Sequence, residues 1–387
     1  MNRRLGVLGA AAVLLAVIAL LGGCGTSQPV ATPTPTRTPQ SVAPTVPPVI
    51  EPTATPEPTA TPAPTPTPTP AANVNPLTGE WVDDVSLLER PPVAIKVANT
   101  AIVRPQSGIN SADIIYEHYN EGWVSTRWTA IFLDSDPVRV GSVRSGRLID
   151  LELVPIYKAP LAAWGFSDGV VAIAREFDTY PNWIASYSLP EQVSPDPFYR
   201  DFTRDLPLEH TGYTDPAAVR AWAAAHGITG RQDLSGMVFS EEPPAGGASG
   251  SYVWVRWRGL DAEWRYDAAS GRYLRWSDGV PHTDALTGEQ LSAANVIVLY
   301  VAQWDTDIIE EPHGGALSIR WALWNDSNPY RRALIFRDGQ QFVGEWHREA
   351  RWDMLTLTDE AGNPFPLDVG NSFFEVIPTE MLEVVVE

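Results

Sequence analysis

A segment of nineteen residues, RPQSGINSADIIYEHYNEG, concentrates reactive side chains in a chain that is only 19% charged. It contains Arg104, Asp113, Glu117, His118 and Glu121. Paired carboxylates act as acid, base or nucleophile in glycoside hydrolases, and arginines bind carboxylates and phosphates. The same residues also suit a structural network, because half-buried charges need partners. The segment therefore predicts an active site, an ion-pair network or a binding site.

The spacing of the two glutamates bears on the catalytic interpretation. If residues 112–121 form one strand, Glu117 and Glu121 share a face and lie about 13 Å apart at a rise of ~3.3 Å per residue. Hydrolytic carboxylate pairs are about 5–9.5 Å apart. A turn at residues 120–122 could bring Glu121 back, and a partner could come from another strand. A cell-wall or glycan hydrolase that uses Glu117 or Glu121 therefore stays open as an alternative.

Positive charge follows a little further along the chain. Arg127 falls in the next expected strand, and Arg144 and Arg147 flank the turn between a short strand and a helix. A helix N-terminus with two arginines can bind a carboxylate or a phosphate. In the structural interpretation, Arg127 and Arg144 instead neutralise Glu117 and Glu121 across adjacent strands.

Hydrophobic periodicity predicts the elements that must hold these side chains. We expect strands over 91–99, 112–120, 123–134, 139–145 and 161–166, and helices over 146–155, 168–177 and 215–227. In the last helix, Asp215 is the expected N-cap and Pro216 the first helical residue. The mixture predicts an α/β (or α+β) N-terminal domain over residues 75–239.

A different pattern follows the break in composition at SEEPPAGGASG (240–250). Apolar and polar residues alternate in one segment after another, which is typical of strands. The dipeptides Asp278-Gly279 and Asp338-Gly339 are strong hairpin signals. We therefore expect a mostly antiparallel β C-terminal domain over residues 250–387.

Several motifs of the folded part resemble one known family, the DUF3048 family of bacterial lipoproteins. They are RPQSG at 104–108, ADIIYE at 112–117, Glu121-Gly122, Thr126-Arg127, GSVRSGR at 141–147 and His210 with Tyr213. The chain departs from the family pattern at Gly146, where Ala is usual, and at His118, where a small or apolar residue is usual. The resemblance implies a two-domain extracytoplasmic lipoprotein and supplies no activity.

The N-terminus predicts export. Arg3 and Arg4 precede an apolar run and small residues, as in a secretory signal peptide, here residues 1–23. The segment before Cys24 resembles the bacterial lipoprotein box, which implies lipidation of Cys24; a transmembrane anchor is the alternative. Residues 24–74 read as a lipid-anchored Pro/Thr-rich linker, because proline prevents regular structure. The expected location is the cell membrane, lipid-anchored on its extracytoplasmic face.

Composition narrows the classes of partner. A net charge of −20 disfavours nucleic-acid binding, because the field repels phosphate. Cys24 is the single cysteine, so thiol catalysis and cysteine zinc sites are not expected in the folded part. The six histidines show no metal-ligand spacing, and the sequence lacks HExxH. We expect no metal centre and no cofactor.

These observations favour binding over catalysis. The sequence predicts an extracytoplasmic lipoprotein that binds a ligand or a cell-envelope component, small molecule or protein, and contacts the membrane through the lipid on Cys24. The expected site is a polar cleft in the first domain, lined by Arg104, Glu117, Glu121, Arg127, Arg144, Arg147 and His210. Besides the hydrolase, a structural or partner-binding envelope protein is an alternative.

Overall fold

The computed structural model describes residues 71–387 except 180–181, 187, 312–313, 325–329 and 381–383. All described residues belong to one compact unit, Pro64–Glu387. The expected signal peptide, Cys24 and residues 24–70 of the expected linker lie outside the described residues.

The first half of the described chain mixes strands and helices. Its strands are β1 Val93–Ala98, β2 Ile114–Tyr119, β3 Thr126–Phe132, β4 Val140–Gly141, β5 Leu161–Ala163, β6 Trp183–Ala185, β7 Tyr199–Arg200, β8 Gly212–Thr214 and β9 Val238–Phe239. Its α-helices are α1 Asp150–Tyr157, α2 Asp168–Ala174 and α3 Pro216–Ala225. Short 3₁₀ turns occupy Val85–Leu88, Ala101–Val103, Ile109–Ser111, Glu121–Trp123, Pro190–Gln192 and Leu208–His210.

Strands dominate the second half. They are β10 Ala248–Ser249, β11 Tyr252–Trp257, β12 Leu260–Asp267, β13 Arg272–Ser277, β14 Val280–Pro281, β15 Ser292–Ala293, β16 Asn295–Val301, β17 Gln303–Glu311, β18 Ala316–Trp321, β19 Arg332–Arg337, β20 Gln340–His347, β21 Thr356–Asp359, β22 Pro366–Leu367, β23 Ser372–Pro378 and β24 Val384–Val386. The fold class expected from the sequence, mixed α/β followed by mostly antiparallel β, is confirmed.

A mixed sheet of eleven strands forms the centre of the molecule. Its order is β10-β20-β19-β16-β23-β2-β3-β1-β5-β6, and β21 pairs with β20. β1, β2 and β3 are buried at every residue, so they carry continuous apolar runs interrupted by single polar residues. Polar groups on these strands must therefore find partners inside the protein.

A second sheet of six strands is antiparallel throughout. It runs β14-β13-β12-β11-β24, with β15 beside β13. Both predicted hairpins are present: Asp278-Gly279 joins β13 to β14, and Asp338-Gly339 joins β19 to β20. All four residues have φ between 52° and 75°, the conformation that a two-residue hairpin turn of this kind requires.

Small sheets and helices complete the fold. β17 pairs with β18, β22 with β9, and β4-β8-β7 form a three-stranded sheet. The helix predicted to end at Pro155 continues to Tyr157. Proline removes the hydrogen bond to the carbonyl four residues earlier, and Arg351 Nη1 donates to that carbonyl of Leu151 at 3.0 Å. For α3 the prediction was accurate, since Asp215 accepts from Ala218 N at 2.8 Å as the N-cap.

The two predicted domain segments share the central sheet. β2 lies in the first segment and β23 in the second, and the two strands pair in parallel from Ile114–Ser372 to Glu117–Glu375. The boundaries 75–239 and 250–387 stay a prediction. None of the helices in the described part has the length and hydropathy needed to cross a bilayer.

Candidate functional site

A cavity of about 430 Å³ lies where the ends of several elements meet. It is lined by Ala98, Asn99, Thr100, Asn120, Glu121, Gly122, Val124, Ser125, Thr126, Arg127, Arg144, His210 and Ala316. The β2–β3 hairpin supplies Glu121 and Arg127, because its turn begins at Glu121 and β3 begins at Thr126. Four of the predicted site residues, Glu121, Arg127, Arg144 and His210, therefore line one cavity.

Glu121 is shared by two arginines. Arg127 Nη2 lies 3.3 Å from Glu121 Oε1, and Arg147 Nε lies 2.5 Å from Glu121 Oε2. Arg147 also lies 3.8 Å from Glu310 Oε2, which comes from β17. Burial acts to raise the pKa of Glu121, but Arg127 and Arg147 outweigh it and hold that pKa well below the ordinary value. Glu121 is therefore a fixed negative charge.

Arg144 is held differently. Its Nη1 donates to the backbone oxygen of Glu209 at 2.6 Å. No described carboxylate lies within ion-pair distance of its guanidinium. Burial, followed by repulsion from Arg147, lowers the pKa of Arg144, whereas Glu209 and Glu121 oppose this lowering.

His210 completes the polar side of the cavity. Burial and then the neighbouring Arg144 lower the pKa of its imidazole, so the neutral ring is favoured at pH 7. Its Nδ1 is buried and has no hydrogen-bond partner among the described residues. Buried polar atoms are usually satisfied, so this nitrogen is suited to a ligand atom.

Glu117 lies in the core behind the cavity rather than in its wall. Its side chain is 0% exposed, and its Oε1 accepts from Asn99 Nδ2 at 2.7 Å and from Thr126 Oγ1 at 2.5 Å. Its Oε2 accepts from Arg275 Nη2 at 2.6 Å. Asn99 and Thr126 themselves line the cavity. Glu117 therefore orients two cavity residues without reaching the cavity itself.

Arg275 and Glu375 are important residues that the sequence interpretation missed. Arg275, on β13, pairs with both Glu117 and Glu375, and all three side chains are fully buried. Trp257 and Trp264 donate to Glu375 at 3.2 and 2.9 Å. Burial and the adjacent Glu117 raise the pKa of Glu375 to about 7. The available signal was an arginine on the inward face of an alternating strand, between Tyr273 and Ser277.

A second buried polar cluster surrounds Lys96. Its Nζ lies 2.7 Å from His118 Nε2, 2.8 Å from Thr129 Oγ1 and 2.8 Å from Asp150 Oδ1. His118 Nδ1 donates to the Tyr119 carbonyl, so its Nε2 accepts from the lysine. Burial lowers the pKa of Lys96 to about 8 although Asp150 opposes this. A lysine inside an apolar strand was the available signal, and the sequence interpretation did not use it.

The remaining predicted residues lie at the margins. Arg147 is buried outside the cavity lining, and its Nε donates to Glu121 Oε2. Arg104 pairs with Asp278 at 2.5 Å and donates to the Asn99 carbonyl at 3.0 Å, and it lines a separate cavity of about 410 Å³. Gly146 packs against Phe166, where a Cβ would lie 1.9 Å from Cε1, so this chain has no room for the alanine usual in the family pattern.

The described residues contain no group of three or more His, Cys, Asp or Glu side chains that could hold a metal ion. The arrangement offers charge and hydrogen bonds instead. One guanidinium without a carboxylate, one neutral imidazole and several amide and hydroxyl groups face a small cavity. Such a set can bind an anion.

Similarity to known proteins covers most of the described chain. The model "Protein of unknown function (DUF3048) N-terminal domain" matches residues 77–229, and the corresponding C-terminal domain model matches residues 253–374. The chain is 27% identical over 317 residues to "Putative lipoprotein YerB" of Bacillus subtilis (strain 168), covering 78% of this chain and 86% of that protein. The crystal structure of YerB from Bacillus subtilis has a similar fold, with a TM-score of 0.65 and 24% identity over 81% of this chain and 99% of the other.

Proposed function

The chain belongs to the DUF3048 family, whose domain descriptions state no function, and on that premise we propose that it is a binding protein for a small anionic ligand. The ligand occupies the cavity lined by Glu121, Arg127, Arg144 and His210. One observation carries the proposal: Arg144 faces this cavity without a carboxylate partner among the described residues.

The charges around the cavity support this proposal. Four cations, Lys96, Arg127, Arg144 and Arg147, belong to the connected polar region, and three carboxylates, Asp150, Glu121 and Glu310, pair with them. Among the described residues, Arg144 is the cation of this region that has no ion-pair partner. The exposed Glu209 carboxylate attracts Arg144 without forming an ion pair with it. Arg144 is partly buried, and a charge that is partly withdrawn from water gains from a counter-ion, so an anion on Arg144 is favoured.

The hydrolase alternative finds less support in the geometry. A glycosidase needs one carboxyl group that keeps its proton at working pH. Glu121 is held ionised by two arginines. Glu117 is sealed in the core and accepts hydrogen bonds on both oxygens. Neither residue has the surroundings of a proton donor.

The N-terminus and the relative support a proposal for the place of action. A homologue described as a lipoprotein agrees with our proposal that Cys24 carries the anchor. We propose that the cavity is presented outside the cell membrane, where it meets an envelope-derived or extracellular ligand. A purely structural role would leave Arg144 without an ion-pair partner among the described residues.

The test is thermal denaturation of the full chain with and without carboxylate and phosphate anions. Binding to the native state raises the melting temperature. We expect at least one anion to stabilise the wild type and the control Arg332→Ala, which removes an exposed arginine on β19, but not Arg144→Ala. Equal stabilisation of all three proteins, or of none, would refute the proposal.

A further inference from the structure

The cavity lining combines two kinds of side chain. Arg127, Arg144 and His210 contribute charged and polar groups, whereas Val124 and Ala316, here called the apolar wall, contribute apolar side chains. A ligand that matched only the arginine, such as free phosphate, would leave the apolar wall against water. Small-molecule sites of about 300–1,000 Å³ combine an apolar lining with a few polar groups that fix orientation. The apolar wall therefore indicates that the ligand has an apolar part.

The charge of the cavity restricts the charge of the ligand. Arg144 has no carboxylate partner among the described residues, and Glu121 is a fixed negative charge in the same lining. A ligand with one negative charge balances Arg144. Among the described lining residues, a second negative charge would meet no further unpaired cation, and Glu121 would repel it. Monoanions are favoured over phosphate monoesters and dicarboxylates.

Neutral hydrogen-bonding groups also line this cavity. Thr100 Oγ1 is buried and has no hydrogen-bond partner in the described part of the chain. Asn120 accepts from Ser125 Oγ through its side-chain Oδ1 at 3.0 Å, and its side-chain Nδ2 donates to no described residue. A hydroxyl oxygen and amide N–H groups together suit a peptide-like amide, which has one donor and one acceptor.

From these observations we propose that the ligand is a monocarboxylate joined through an amide to a short apolar group, as in an N-acylated amino acid or the carboxyl end of a short peptide. The carboxylate binds Arg144, the amide meets Thr100 and Asn120, and the apolar group lies against Val124 and Ala316. This assignment rests on the proposed function, since it names the ligand class of the same cavity.

The first experiment compares probes on the full chain by isothermal titration calorimetry. N-acetyl-alanine, in both enantiomers, has the charge, amide and methyl group that the cavity fits. Acetate lacks the amide and apolar parts, N-acetyl-alanine amide lacks the charge, and succinate and inorganic phosphate carry extra charge. We expect at least one enantiomer of N-acetyl-alanine to bind about tenfold or more tightly than each of the other four probes. Each of these probes lacks the charged hydrogen bond, lacks the buried apolar area or carries extra charge.

The second experiment uses two exposed valines as a matched pair. Val124 lines the cavity and is 67% exposed, whereas Val138 is 76% exposed and lies outside the lining, so neither substitution disturbs the core. Val124→Asp places a carboxylate on the apolar wall, and we expect it to weaken the binding of N-acetyl-alanine about tenfold. Val138→Asp should leave this binding unchanged. Equal binding by both variants would overturn the assignment of the apolar wall.

The outcomes separate the two proposals. If succinate or phosphate binds more tightly than N-acetyl-alanine and Arg144→Ala abolishes that binding, the ligand class is wrong and the anion site stands. If no probe binds, or if binding survives in Arg144→Ala, both proposals fail.

Discussion

Glu121 and Arg144 line the same cavity, but their neighbours give them opposite properties. Glu121 satisfies two arginines and cannot readily take a proton. Arg144 donates to one carbonyl and forms no ion pair with a described carboxylate. Composition predicted the presence of such groups, whereas the assignment of partners depends on which strand ends meet. The difference between a satisfied ion pair and a binding site is therefore decided at the scale of single residues.

His210 gives this site a pH dependence. Burial and Arg144 lower its pKa. An anion on Arg144 offsets that repulsion and raises the pKa, so binding takes up a proton and becomes tighter as pH falls through the pKa of the bound state. We expect carboxylate affinity, measured by calorimetry from pH 8 to pH 5, to rise in the wild type. His210→Asn should flatten this rise; an identical profile in the variant would contradict the assigned role of His210.

At the scale of elements, the parallel pairing of β2 with β23 creates the buried triad. The pairing places Glu117 opposite Glu375 on neighbouring strands, and the two carboxylates share Arg275 from the second sheet. Trp128, Trp264 and Phe373 surround the guanidinium with ring centres at 4.8–5.4 Å. The triad thus joins the two sheets at a point directly behind the cavity residues Asn99 and Thr126.

Removing the cation that Glu117 and Glu375 share should strongly destabilise the protein. Arg275→Met leaves two adjacent buried carboxylates without a counter-charge, and we expect a loss of about 3–5 kcal/mol in the free energy of unfolding, measured by urea denaturation. Arg332→Met, at the exposed first residue of β19, should change the free energy of unfolding by no more than about 0.5 kcal/mol. A loss below about 1 kcal/mol for Arg275→Met would show that the triad contributes little.

Glu375 should also make stability depend on pH. Its pKa is raised from 4.5 to about 7, so between these values the native state holds a proton that the unfolded state has lost. The free energy of unfolding therefore falls as pH rises from about 4.5 to about 7. Asp113, whose burial also raises its pKa to about 7, gives a slope of the same sign. We expect Glu375→Gln to reduce the slope without removing it, and an unchanged slope would contradict the account.

Local signals predicted the elements well, because helix caps, hairpin dipeptides and apolar periodicity act over a few residues. Asp215, Asp278-Gly279 and the runs that became β1, β2 and β3 are examples. The partners of Glu117 could not be predicted in this way, since Arg275 lies 158 residues away. The sequence showed that Glu117 needs a cation, but sheet pairing between distant segments determined which one.

At the scale of the whole molecule, the central sheet unites residues from both predicted domains. The Bacillus subtilis relative is described as a lipoprotein. Lipidation at Cys24 would tether the cavity to the membrane surface through the Pro/Thr-rich segment. Ligand capture near the membrane is therefore the setting in which the proposed binding would operate.

Intact mass spectrometry of the protein purified from membranes tests this anchor. We expect a chain that begins at Cys24 and carries the additional mass of a lipid, because cleavage before the modified cysteine removes residues 1–23. Cys24→Ala should retain Met1 and lack the lipid mass. A wild-type mass equal to the unmodified full chain would favour the transmembrane alternative.

The central claim is that Arg144 binds an anion, and a crystal structure of the full chain grown with saturating acetate tests it most directly. We predict a carboxylate in the cavity with its oxygens within about 2.7–3.2 Å of the Arg144 guanidinium, and its absence from crystals of Arg144→Ala grown in the same way. A cavity that holds only water, with Arg144 turned to pair with the carboxylate of Glu209, would contradict the account.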